Sequence, residues 1–361
     1  MSGSILLTGA TGFLGMEALA HLIERGERIV VIVRAGDRDR ARARVAEVMD
    51  QLYEQQPPAA ACVEVMRGDL LEPGLGLSTQ DRHRLVGSVD RILHCAASIS
   101  FDLPLAQARR VNVDGVREVL DLARDIAAGG TLTRLVHIST AYVSGRHEGR
   151  FGESDLDVGQ RFRNTYERSK HEAERLIGDA ADLPAVIARP SIVVGHGACG
   201  WTPVFNVLYW PMRAVERGIL TRVPARADSI VDFVPVDYVI DAAVRLLDDA
   251  HASGTYQLVA GDTALSAAEL VELHAGLLGR PPLPFVDHAE GMPRGGEALA
   301  PYFDVRCRFD DTRARALLGR ARAVKPDPED YLERLLAYAQ RTQWGKRSIT
   351  RERAIAGGTR T

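Results

Sequence analysis

Eight residues near the start of the chain, Thr8-Gly9-Ala10-Thr11-Gly12-Phe13-Leu14-Gly15, restrict the fold more than any other segment. They follow a run that reads as a strand, Ser4 to Thr8, and open a segment of helical apolar spacing, Gly12 to Arg25. Glycine at position 9 permits a tight turn, at 12 it lets backbone amides approach a pyrophosphate, and at 15 it lets the helix lie close on the sheet. The helix N-terminus adds partial positive charge. This pattern predicts a Rossmann-type dinucleotide site, with Gly9, Thr11, Gly12, Phe13, Leu14 and Gly15 as its first cofactor contacts.

The rest of the first half agrees with that expectation. Short β-branched runs at Arg28 to Val33, Val63 to Arg67, Arg91 to Cys95, Leu135 to Ser139 and Ala185 to Arg189 alternate with helical patterns. Those helices are expected at Arg38 to Glu54, Ala106 to Ile126 and Tyr166 to Asp179, which makes the fold an α/β, doubly wound parallel sheet. After Pro190 the rhythm changes to a glycine-rich stretch, Gly195 to Trp201, and an aromatic, apolar segment interrupted by Pro203 and Pro211. We expect an NADP-binding Rossmann domain over 1–195, its sheet edge completed by about 230–260, and a smaller, interleaved substrate lobe over 196–340. The basic segment 341–361 reads as a mobile tail.

Strand ends should carry the ligand contacts. The second strand ends in Val33-Arg34, where an NAD enzyme would usually present an acid to the ribose; Arg34 instead offers a fork suited to a 2′-phosphate, so NADPH is the expected cofactor. Arg44 is a further candidate, while Arg38, Arg40 and Arg42 read mainly as a solvated basic face. Asp37 weighs against the assignment slightly, since a rotated loop could bring it to the ribose. Asp69 and Leu70 after the third strand, and Ala96, Ala97 and Ser98 after the fourth, should meet adenine and ribose.

Tyr166 and Lys170 lie four apart, on one helix face, after a strand whose end reads Ile138-Ser139-Thr140-Ala141-Tyr142. A phenol is a poor acid at neutral pH, and an adjacent ammonium is expected to bring its pKa down. Bulk properties exclude little beyond this. Net charge is -3 and the pI about 6.4, giving no general reason for nucleic-acid binding. Cys62, Cys95, Cys199 and Cys307 show no metal spacing, and His147, His171 and His196 add none, so no metal is expected. His137 reads as a core histidine. With no secretory signal or membrane-spanning run, a cytoplasmic protein is expected.

Over roughly Ile5 to Val259 the sequence resembles the extended short-chain dehydrogenase/reductases. The resemblance implies Tyr166 as general acid, Lys170 as holder of the nicotinamide ribose, and a strand-end hydroxyl, Thr140 or Ser139, orienting the carbonyl. The family's Ser/Thr-Ala-x-x-x-Gly turn favours Thr140. It implies that Asn112 braces the helix beside the cofactor and that Pro190 and Ile192 lie at the nicotinamide carboxamide. His94-Cys95-Ala96-Ala97-Ser98, His137-Ile138-Ser139-Thr140, Arg189-Pro190-Ser191-Ile192, Arg217-Gly218-Ile219-Leu220 and Asp232-Phe233-Val234-Pro235 are similar, more narrowly, to fatty acyl-CoA reductases and thioester reductase domains. Such a likeness implies reduction of an acyl-CoA or acyl-carrier-protein thioester to an aldehyde, or on to the alcohol, with the donor met in trans. An NADP-dependent ketone or hydroxysteroid-type dehydrogenase is the alternative, and a non-catalytic NADPH-binding protein a more distant one. Trp201, Phe205, Tyr209, Trp210 and Met212 are equally compatible with lining an acyl tunnel and with core or dimer packing.

Overall fold

The second strand, Ile-Val-Val-Ile-Val, is wholly apolar and β-branched, as a strand covered on both faces must be. A computed structural model, which describes residues 3–130, 132–205, 207–286, 297–320 and 325–358, places it inside a large parallel sheet. The strands of that sheet are β1 (Ser4–Thr8), β2 (Ile29–Val33), β3 (Val63–Arg67), β4 (Val89–His94) and β5 (Arg134–Ile138), then, after a short β6 (Gly149–Phe151), β7 (Ala185–Pro190). Three short strands, β8 (Ile192–Val194), β9 (Ile230–Val231) and β10 (Phe233–Pro235), precede its last member, β11 (Gly254–Leu258). Among the described residues, seven parallel strands run in the order β11-β7-β5-β4-β1-β2-β3. The order reverses between β1 and β4, which opens a crevice at their C-terminal ends.

Helices cover both faces. The helices α1 (Phe13–Glu24) and α2 (Arg38–Leu52) bury Leu19, Leu22, Val45 and Val48 on one side. On the other side lie α3 (Thr79–Ser88), the short α4 (Leu105–Arg109), α5 (Gly115–Ala128) and α6 (Thr165–Asp179), with Leu85, Leu120, Ile126 and Ile177 in the second core. The expected single helix from Ala106 to Ile126 is broken: Arg110–Asp114 forms one wider π-turn between α4 and α5. Later helices α7 (Tyr209–Glu216), α8 (Val236–Asp248) and α9 (Ala267–Leu278) lead into the lobe, with α8 returning to pack beside α1.

Beyond the small strands β12 (Leu265–Ser266) and β13 (Cys307–Phe309) come α10 (Thr312–Arg320), α11 (Pro328–Arg341) and α12 (Arg351–Gly358). The segment expected to be a mobile tail is therefore ordered and packed as far as residue 358. Arg351, only 4% exposed, makes a two-pronged ion pair at 2.7 Å with buried Glu17 of α1 and a second pair with Glu24. Trp201 donates its indole N–H to Ile349 O at 3.2 Å, adding a second anchor. Basic composition suggested solvation; two acids on α1, more than three hundred residues away, reverse that outcome. Among the described residues no helix is long and apolar enough to cross a membrane.

Candidate active site

The fingerprint turn is shaped by steric necessity. Gly9 sits at φ +77°, and a Cβ there would lie 2.7 Å from Ala96 N; a Cβ on Gly15 would lie 2.0 Å from Gly9 O. Gly12 starts α1 without any side-chain cap, so the first-turn amides are not claimed by a capping side chain. Above this turn opens a cleft of about 580 Å³. Gly9, Thr11 and Gly12 form its floor, Arg34 and Arg44 one end, and Asp69, Leu70, Ala96, Ala97 and Ser98 its walls. Phe13, Leu14 and Gly15 lie under the turn and do not line the cleft.

Arg34 is exposed at the lip. Arg44 reaches over from α2, donating to Arg34 O and, at 3.3 Å, to Thr11 Oγ1. Asp37 is committed elsewhere: its carboxylate caps α2 by accepting from Arg40 N at 2.8 Å. Arg38 pairs with Asp81, and Arg42 with Asp39, on the outer helix surface.

Asn112 stands in the π-turn and joins two sides of the cleft. Its Oδ1 accepts from Ser98 N at 2.8 Å, and its Nδ2 donates to Ser98 O at 3.0 Å and Ser169 Oγ at 2.9 Å. Within this π-turn the Asn112 side chain is buried, 2% exposed. Its hydrogen bonds brace α6 against the loop after β4.

Thr140 caps the short turn after β5, accepting from Tyr142 N at 3.2 Å, and its hydroxyl shares a hydrogen bond with the Tyr166 phenol. Ser139 is buried and does not reach Tyr166 by any hydrogen bond. The phenol departs from the sequence expectation: burial pushes it up to about 12, and the hydrogen bond from Thr140, rather than the charge on Lys170, opposes the rise. Lys170 is 2% exposed and turns its ammonium toward β5, donating to Ile138 O at 2.8 Å and meeting His137 Nε2 at 3.0 Å. Burial brings this lysine down to about 8.

Sequence reasoning passed over His137 as an ordinary core residue. With Nε2 facing the lysine, its proton belongs on Nδ1, and burial followed by the Lys170 charge holds it well below the usual histidine range. Its ring lies 5.1 Å from that of His94, whose Nδ1 meets Thr8 Oγ1 at 2.6 Å. No local sequence signal marks it: His94 and His137 come together only through the register of β4 on β5. A polar thread thus runs beneath the cleft floor from β1 to Lys170.

Pro190 is buried at the end of β7 and does not line the cleft, and Ile192 faces a separate apolar cavity of about 110 Å³ in the lobe. Leu208, Met212, Leu270, Phe303 and Tyr302 line it too. The aromatic segment is divided: Met212 faces this cavity, whereas Trp201 and Tyr209 are core residues, each 1% exposed. Phe205 stacks on Tyr338 and meets Trp344 at a tilt, and Trp210 is partly buried. The cavity approaches the chemical centre through Tyr302, 5.2 Å from Phe101, whose ring is 5.9 Å from Tyr166.

A Rossmann-type sheet with a glycine cleft and this Thr140, Tyr166 and Lys170 set defines an extended short-chain dehydrogenase/reductase. The NAD-binding family described as Male sterility protein matches residues 7–243, and the chain belongs to that family. It is 30% identical to fatty acyl-CoA reductase 1 of Xenopus laevis over 67% of this chain and 53% of that protein. It is 28% identical to fatty acyl-CoA reductase wat of Drosophila melanogaster over 66% and 52%. The chain thus spans about half the length of the curated relatives it matches. Among solved structures, the terminal R domain from the myxalamid PKS-NRPS biosynthetic pathway superposes with a TM-score of 0.80 at 25% identity, covering 96% of this chain and 93% of that one. A thiolation-reductase di-domain from an archaeal non-ribosomal peptide synthetase follows the same fold, with a TM-score of 0.78 at 22% identity over 95% and 76%.

Proposed function

We propose that the protein reduces an acyl thioester, carried on CoA or on a carrier protein, to the aldehyde, using NADPH. The observation that carries this reading is the Thr140 and Tyr166 hydroxyl pair, with Tyr166 linked through the Phe101 ring to Tyr302, which lines an apolar cavity. The names of the relatives, fatty acyl-CoA reductases and a terminal R domain, support it.

The residues fit a phosphorylated dinucleotide. Gly9, Thr11 and Gly12 would hold the pyrophosphate, Asp69 and Leu70 the adenosine side, and Lys170 the nicotinamide ribose. Arg34 and Arg44 at the lip, with Asp37 occupied as a helix cap, favour a 2′-phosphate over a bare ribose. Reduced nicotinamide supplies the hydride when bound. Thr140 and Tyr166 would donate hydrogen bonds to the oxygen of the thioester carbonyl as it gains negative charge. Tyr166, still protonated at neutral pH, would give its proton to that oxygen; the hemithioacetal then breaks its C–S bond, leaving aldehyde and free thiol. A second reduction of bound aldehyde would give the alcohol.

The test is a panel of saturated acyl-CoA thioesters from butyryl to hexadecanoyl, following NADPH loss, thiol release and product mass. One thiol per first hydride is expected. Turnover of simple ketones with none of thioesters would replace this reading with that of a ketone dehydrogenase. Substituting Arg34→Ala should raise the KM for NADPH with little change for NADH, and an equal change for both would remove Arg34 from the phosphate role.

A further inference from the structure

The first turn of α6, which carries Tyr166, is held by a network that no hydride or proton step uses. Asn164 caps the helix, its Oδ1 accepting from Glu167 N at 2.9 Å. Its Nδ2 donates to Tyr302 Oη at 2.8 Å, and the Tyr302 hydroxyl in turn donates to the Glu167 carboxylate. Glu167 is fully buried, accepts from Arg163 N at 2.8 Å and pairs with the Arg163 guanidinium at 3.4 Å. Arg163, its side chain 2% exposed, also donates to Gly145 O, which ends the turn begun by Thr140, and to Pro301 O at 3.1 Å.

One cluster therefore ties together the turn of Thr140, the helix of Tyr166 and the lobe segment at 301–302. Tyr302 belongs to both worlds. Its ring forms a wall of the apolar cavity and packs on Phe101 and Tyr142, while its hydroxyl holds the helix cap. A chain filling the cavity must press on this ring. A shift of the ring carries its hydroxyl, and with it the Asn164 and Glu167 groups bonded to that oxygen, because close-packed side chains transmit displacement.

We propose that Tyr302 is a positioning residue that couples occupancy of the apolar cavity to the placement of Tyr166, so that a long acyl chain raises turnover and not only affinity. This rests on the reading of the cavity as the acyl site. Binding energy from a remote part of the substrate then acts on the reacting end, as it must if chain length is to be sensed in kcat.

The experiment compares butyryl-CoA with hexadecanoyl-CoA, and the unreducible thioethers butyl-CoA and hexadecyl-CoA, on wild type, Tyr302→Phe and Asn164→Ser. Phenylalanine keeps the cavity wall, and serine keeps the cap while being too short to reach Tyr302. In wild type, hexadecyl-CoA should slow amide exchange across residues 163–170 and butyl-CoA should not; both variants should lose the difference. For turnover, each variant should lower kcat for hexadecanoyl-CoA by about tenfold, the scale of one lost hydrogen bond, toward the butyryl value with KM little changed. Loss of kcat in equal proportion for both substrates, or exchange that is blind to chain length in wild type, would overturn the coupling. Chain-length-dependent exchange in a protein that reduces no thioester would uphold the coupling and sink the functional reading instead.

Discussion

Tyr166 and Lys170 divide the titration behaviour of the site in an unexpected way. With the phenol near 12 and the lysine near 8, the group that changes charge just above neutrality is the lysine. The basic limb of kcat/KM is therefore expected near pH 8, where the ammonium is lost, and Lys170→Arg should move it upward because a guanidinium stays charged. A limb unmoved by that change would assign it to another group. Stability should run the opposite way from a salt-bridged lysine. An unfolded lysine holds its proton to about 10.4, whereas the native one releases it near 8, so between these values the unfolded state binds more protons and stability rises with pH. Denaturant midpoints at pH 8 and 10 should show this rise in wild type and less of it in Lys170→Met. Tyr166→Phe should lower kcat by at least about a hundredfold, the usual worth of a positioned general acid, while NADPH binding measured by fluorescence stays close to wild type.

Among the elements, the glycine turn and its helix are the part most legible in sequence, because steric exclusion at Gly9 and Gly15 leaves few other residues possible. Gly15→Ala should weaken NADPH binding and lower the thermal midpoint, since its methyl would meet Gly9 O at 2.0 Å; unchanged binding would show that α1 can shift without cost to the cleft. Strands rich in Val and Ile were equally readable, β1 and β3 to the residue. The π-turn at Arg110–Asp114 was not, because its apolar spacing continues the pattern of α5 and the break follows from Asn112 reaching Ser98 and Ser169. Lys170 was found by its spacing, but its orientation depends on His137, a neighbour in space and not in sequence. Tyr302 carries no local motif at all; only the folded lobe brings it to Asn164, 138 residues away.

At the scale of the whole molecule, α8 and β11 return to the large sheet after the chain has left it through β8, β9 and β10. Arg351 closes this arrangement on α1. Arg351→Met should destabilise the protein by about 3–5 kcal/mol by leaving Glu17 buried without its cation, and Glu17→Leu with Arg351→Met together should recover most of that loss. A single variant as stable as wild type would mean Glu17 finds water or another cation. The pair also orders events during synthesis. Glu17 and Glu24 leave the ribosome some 330 residues before the guanidinium that neutralises them, so a nascent chain holds the nucleotide-binding half in a weakened state. Docking of α12 then acts as a latch that engages only once the segment around Arg351 has been synthesised.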